Sequence, residues 1–240
     1  MKTRLLLTFA FVAVMFLHVY SQWTYTDLSL ARGYMGSAAI GNKAYFAGGN
    51  NGVASVATVE SYDVVQDSWE NVGDLNVPRE VISGVACGKK VYFAGGFDWT
   101  ASYDLVEIYD TETGIWSSEQ LSVPRFSMAA VSCNNKVFFA GGFQFPQQSY
   151  KAVVDIYDAE TGLWETKQLS LAREGIAATV AGDLVFFAGG KNFAGTTNLV
   201  DIYNLSSDSW SVDTLSQARG FASAATIPST MERTFRGSSQ

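Results

Sequence analysis

Lys90-Val91-Tyr92-Phe93-Ala94-Gly95-Gly96, then Leu105-Val106-Glu107-Ile108-Tyr109-Asp110, then Trp116 is the stretch that decides the fold. It reads as a strand running into a Gly-Gly pair, a second strand of the form Val-Glu-x-Tyr-Asp, and a third holding a tryptophan. The same order returns along the chain. Gly-Gly pairs stand at Gly48–Gly49, Gly95–Gly96, Gly141–Gly142 and Gly189–Gly190, spaced 47, 46 and 48 residues apart. Each follows two aromatics and an alanine, as in Tyr45-Phe46-Ala47 and Phe186-Phe187-Ala188. Tyr62, Tyr109, Tyr157 and Tyr203 follow in register, as do Trp23, Trp69, Trp116, Trp164 and Trp210. So do Arg32, Arg79, Arg125, Arg173 and Arg219. A fixed period of this length marks a repeat architecture.

Together these residues resemble the kelch repeat, over about residues 23–227. The resemblance implies an all-β fold, a propeller whose blades are four antiparallel strands around a central axis. Local chemistry points the same way. Gly41-Asn42, Gly88-Lys89, Asn134-Asn135 and Gly182-Asp183 sit as two-residue turns between strands, and residues tolerant of positive φ are the hairpin signal. The strand before each turn is rich in small residues, such as Gly36-Ser37-Ala38 and Gly84-Val85-Ala86. Small side chains suit an innermost strand, where blades converge.

Four units are complete, about 32–78, 79–124, 125–172 and 173–218. Residues 22–30 read as the last strand of an earlier blade and 219–227 as the first strand of a later one. The next Gly-Gly is due at 235–236, where Phe235 and Arg236 stand instead, so 228–240 is an off-pattern tail. Kelch propellers usually have six or seven blades, so the resemblance implies an incomplete six- or seven-bladed propeller; a compact four- or five-blade closure is the alternative.

Residues 1–21 read as a secretory signal peptide. Lys2 and Arg4 precede an apolar run from Leu5 to Leu17, and Val19 and Ser21 offer small-residue spacing for cleavage before Gln22. The run is short for a membrane span, so the expectation is an exported chain without membrane insertion. Removing Lys2 and Arg4 leaves 14 basic against 23 acidic side chains, a net charge of −9. That balance argues against nucleic acid as a partner. His18, the one histidine, lies in the leader. Ser–His and Cys–His nucleophiles are thereby excluded from the mature chain. Zinc or copper ligation is left to carboxylates. The expectations are no metal, no cofactor and no catalytic residues.

An acidic series, Glu60, Glu107, Asp155 and Asp201, lies two residues before each tyrosine. Blade sheets are covered on both faces, and a buried carboxylate needs a partner. Structural pairs with Arg32, Arg79, Arg125 and Arg173 are therefore expected. A ring of arginines receiving an anionic ligand is the alternative. Cys87 and Cys133 hold equivalent positions in neighbouring units and are open to either a free or a bridged state. Asn204-Leu205-Ser206 is an N-glycosylation sequence in an expected turn.

The segments after Gly-Gly vary most: Asn50–Thr58, Phe97–Leu105, Phe143–Val153 and Lys191–Leu199. Loops on a rigid scaffold commonly carry binding. Trp99, Tyr103, Phe143, Phe145 and Tyr150 are the candidate ligand-binding residues, forming one patch across the second and third units. The reading is a secreted scaffold for a protein or glycan ligand. The resemblance also allows a sugar epimerase or mutarotase working through Glu and Arg.

Overall fold

The structure is a computed structural model and describes residues 25–225. The leader at 1–21 and the tail at 228–240 lie outside the described residues.

Four sheets of four antiparallel strands follow one another. The first contains β1 (Gly36–Ile40), β2 (Lys43–Ala47), β3 (Thr58–Asp63) and β4 (Ser68–Asp74). The second contains β5 (Ser83–Cys87), β6 (Lys90–Ala94), β7 (Leu105–Asp110) and β8 (Trp116–Gln120). In the third, β9 (Ala129–Cys133) and β10 (Lys136–Ala140) precede a small hairpin, β11 (Phe143–Gln144) and β12 (Ser149–Tyr150); β13 (Val153–Asp158) and β14 (Trp164–Gln168) complete the sheet. The fourth repeats that plan. It has β15 (Ala177–Ala181) and β16 (Leu184–Ala188), a hairpin β17 (Lys191–Asn192) and β18 (Gly195–Thr196), then β19 (Leu199–Asn204) and β20 (Ser209–Thr214).

The small-residue strands are innermost. β1 packs on β5, β5 on β9 and β9 on β15, while no comparable contact joins β15 to β1. The blades therefore form an open arc. Their close approach explains the small residues: a Cβ added to Gly84 would lie 2.3 Å from the Ser37 carbonyl oxygen.

Large side chains fill the wedges between blades. Tyr45 meets Tyr109, Tyr92 meets Tyr157 and Phe138 meets Tyr203, each at about 6 Å between ring centroids. Trp69, Trp116, Trp164 and Trp210 each pack at a tilt against the tyrosine of their own blade, as Trp116 does on Tyr109 at 5.0 Å. The indole N–H then reaches the preceding blade, where Trp116 Nε1 donates to the Val72 carbonyl at 3.1 Å.

The two partial segments take their blade positions without strand pairing. Trp69 Nε1 donates to Thr26 Oγ1 at 2.6 Å. The Gly190 amide donates to the Arg219 carbonyl at 2.8 Å, as the Gly142 amide does to Arg173 at 2.9 Å. Residues 25–30 and 219–225 form no strand because neither has a neighbouring strand of its own blade among the described residues.

Candidate functional site

The arginine and acid series meet inside each blade. Arg32 lies 2.8 Å from Glu60, Arg125 2.8 Å from Asp155 and Arg173 2.8 Å from Asp201, and Arg79 bonds Glu107. The side chains are nearly inaccessible, at 0% for all four arginines and 1–4% for the acids. In Arg79, Arg125 and Arg173 the other guanidinium N–H groups donate to backbone carbonyls, whereas Arg32 Nε lies 3.2 Å from Met35 Sδ. Arg125 donates to the carbonyls of Gly141, Val123 and Phe139 at 2.9, 3.0 and 3.1 Å. Burial pushes the Arg125 pKa down, and Asp155 opposes that shift. Asp155 also accepts the Ser122 amide at 3.2 Å, tying the outer turn to the pair. These arginines clamp strand ends and are not placed to receive an external anion. Arg219 is exposed, and among the described residues its side chain makes one hydrogen bond, from Nε to the Gln217 carbonyl at 3.4 Å.

The loops after Gly-Gly gather on one face, and their aromatic rings form a continuous band. Trp99 contacts Phe97 at 5.1 Å, and Phe97 stacks on Phe126 at 4.3 Å. Phe126 meets Phe143 at 5.8 Å, Phe143 meets Tyr150 at 4.9 Å, and Tyr150 meets Phe193 at 4.7 Å. The ends stand out, with Trp99 68% and Phe193 77% exposed, while Phe97 is buried at 9%. Phe126, Phe143 and Tyr150 are half-buried. Beside Tyr150 and Phe193 a hollow of about 470 Å³ opens, lined also by Gln148, Ala172, Asn192 and Ala194.

Three of the five sequence candidates, Trp99, Phe143 and Tyr150, belong to this band. Tyr103 instead serves its own loop: its hydroxyl donates to Asp98 Oδ2 at 2.6 Å. Asp98 also takes the Thr100 and Ala101 amides, at 2.9 and 3.0 Å. Burial pushes the Asp98 carboxyl up, but hydrogen bonds from Thr100, Tyr103 and the two amides outweigh it and hold it at about 2. Phe145 is half-buried, and its backbone is fixed to the neighbouring loop. Its amide donates to Ser102 Oγ at 2.8 Å, and its carbonyl accepts the Ser102 amide at 3.0 Å. Sequence reasoning missed Phe126 and left Phe193 out of the patch. The position after each arginine holds Gly33, Glu80, Phe126, Glu174 and Gly220, and that variability was the available signal.

Cys87 and Cys133 are buried and unbridged. Burial is the main cause raising both thiol pKa values. Among the described residues, no cluster of three or more His, Cys, Asp or Glu side chains is grouped to hold a metal. No helix of the described residues is long and apolar enough to cross a membrane.

Asn204 sits at the turn between β19 and β20. Its Oδ1 accepts the Ser207 amide at 3.2 Å, and its Nδ2, the atom a glycan would join, makes no hydrogen bond among the described residues. Expression through a eukaryotic secretory pathway is expected to give a species that shifts on glycosidase treatment and is absent from Asn204→Gln. Unchanged mobility of the wild-type chain would contradict this.

Four-stranded blades in an arc, each locked by a buried Arg–acid pair and carrying a variable outer loop, define a propeller of repeated units. A family model described as the kelch motif matches residues 31–76, 82–120 and 124–167, and the chain belongs to the kelch-repeat family. The solved structure of YjhT has the same fold, with a TM-score of 0.67 over 81% of this chain and 69% of that one, at 14% sequence identity. No curated protein matches this chain by sequence.

Proposed function

We propose that this chain is an exported binding scaffold that takes a protein or glycan ligand on the aromatic band of its loop face. Kelch repeats serve generally as scaffolds for protein binding, and the blades here hold the loops rigidly. The observation carrying the reading is the unbroken line of ring contacts from Trp99 to Phe193 across three units. An aromatic surface rimmed by polar groups is the usual character of a recognition site. The burial of all four acids of the repeat with their arginines favours binding over a sugar-converting role, because neither partner of a pair is placed to touch a substrate.

Trp99→Ala combined with Phe193→Ala is expected to weaken any ligand found by glycan-array or peptide-display screening by at least about tenfold, roughly 1.4 kcal/mol. Circular dichroism should remain unchanged, because both side chains are exposed. Undiminished binding by the double variant would move attention to the central axis. Export rests on the N-terminal run alone. N-terminal sequencing of secreted protein should begin at Gln22, and a mature chain beginning at Met1 would end that part of the proposal.

A further inference from the structure

We infer that the hollow between the third and fourth blades takes an extended peptide, which adds to the free edge of β12 and seats one aromatic side chain beside Phe193, an inference that rests on the loop-face reading and fixes one end of the ligand.

The chain itself makes such an arrangement one blade earlier. Phe97 pairs with Ser102 as Phe143 pairs with Tyr150. The next residues, Tyr103 and Lys151, donate their amides to the Gly96 and Gly142 carbonyls, each at 2.9 Å. Phe97 spends its own amide and carbonyl on Glu80, and Phe143 spends its own on Phe126. Both pairs are therefore of the non-hydrogen-bonded kind, and the amide and carbonyl of Ser102 and of Tyr150 face outward along a strand edge. At Ser102 that edge is taken. Its amide donates to the Phe145 carbonyl at 3.0 Å, and the Phe145 amide donates to Ser102 Oγ at 2.8 Å. Phe145 comes from the hairpin of the following blade. At Tyr150 no described residue takes the outward amide or carbonyl.

Loop length explains the difference. β11 and β12 pair Gln144 with Ser149, so four residues, 145–148, form the tip. β17 and β18 pair Asn192 with Gly195, so the tip has two, Phe193 and Ala194. Phe193 stands where Phe145 stands in the third blade, but its hairpin is too short to carry backbone across to β12. Its ring meets Tyr150 edge-on at 4.7 Å and stays exposed. The hollow of about 470 Å³ lies between them, bordered by Ser149, Tyr150, Ala172 and Ala194.

The occupant follows from what fills the same place one blade earlier, a segment of polypeptide with an aromatic residue. An unpaired strand edge is a template for another strand. Main-chain bonds to an edge, with a pocket for a side chain, are a recurring way of holding peptides. The residues lining the hollow carry no charge, so an uncharged side chain suits it, and the rings of Tyr150 and Phe193 favour another aromatic. Tyr150 offers one amide and one carbonyl. One amide of the peptide therefore bonds this edge, and the amides on either side of it point away.

The test starts from random heptapeptides with a fixed central Phe, displayed on phage and selected on the exported chain. A selected peptide is then synthesised and titrated. N-methylation at one backbone amide should weaken binding by about tenfold, and at the two neighbouring amides by less than about threefold. Phe193→Ala should weaken it by about tenfold, with circular dichroism unchanged because the side chain is exposed. Replacing Phe193-Ala194 by a copy of residues 145–148 should abolish binding, because the lengthened hairpin then takes the β12 edge itself. If no heptapeptide is retained, or if a retained peptide tolerates N-methylation at every position, the inference is overturned. In that case a ligand still lost in the Trp99/Phe193 double variant would keep the loop-face reading alive without it. A peptide whose binding survives both the lengthened hairpin and the double variant overturns both.

Discussion

Arg125→Ala is expected to cost about 3–5 kcal/mol, because it strands a buried carboxylate without its partner. Asp155 is 1% exposed and would keep the Ser122 amide but lose the guanidinium. The carbonyls of Gly141, Val123 and Phe139 would lose their donor in the same change. The end of β10 and the segment leading into the blade are therefore loosened at once, together with Asp155 on β13. Arg219→Ala belongs to the same repeat position and should cost under about 0.5 kcal/mol, as exposed substitutions do, since Arg219 is exposed and pairs with no acid among the described residues. Urea denaturation of both variants separates the two values. Replacing Arg125 and Asp155 together by apolar residues of similar volume should recover part of the loss, because no charge is then left alone. Small and equal losses at Arg125 and Arg219 would contradict the clamp.

Gly95→Ala is the second large effect. Gly95 has φ +63°, and a Cβ there would lie 2.2 Å from the Arg125 carbonyl oxygen. That oxygen belongs to the backbone of the next blade and accepts the Gly96 amide at 3.1 Å. It cannot move without breaking the join between blades. Left-handed strain of about 1–3 kcal/mol adds to overpacking of about 1–3 kcal/mol, for a loss of roughly 2–6 kcal/mol. Gly88→Ala is the control. Its φ is +59°, but nothing lies within 4 Å of the added atom, so only the conformational cost of about 1–2 kcal/mol remains. Equal melting temperatures for the two variants would show that the Gly-Gly join is not packed as described.

Much of this fold is legible in the chain because each blade solves the same packing problem. Trp, Tyr, Arg and acid recur because each fills a fixed place, and a fixed place leaves a period in the sequence. The pairing of Arg125 with Asp155 could be read that way, from burial and the need for a counter-charge. The aromatic band could not be read in full. Phe126 joins Phe97 to Phe143 across two loops, yet it follows Arg125 at a position where other units carry Gly33 or Glu174. Contacts between loops depend on how the blades turn about the axis, which no single repeat encodes. Tyr103 misled for the opposite reason. It sits in a variable loop and is aromatic, but its hydroxyl is committed to Asp98. Phe145 likewise supplies backbone bonds to Ser102.

The tryptophans allow a direct test of where a ligand lies. Trp69, Trp116, Trp164 and Trp210 each pack at a tilt against the tyrosine of their own blade, whereas Trp99 is 68% exposed at the end of the band. Fluorine NMR of the chain labelled with 5-fluorotryptophan, assigned by single Trp→Phe variants, distinguishes them. On titration with a ligand selected by array or display screening, the Trp99 resonance should move in proportion to occupancy while the four blade tryptophans stay in place. Saturable binding that leaves Trp99 unmoved would contradict the loop face as the binding surface.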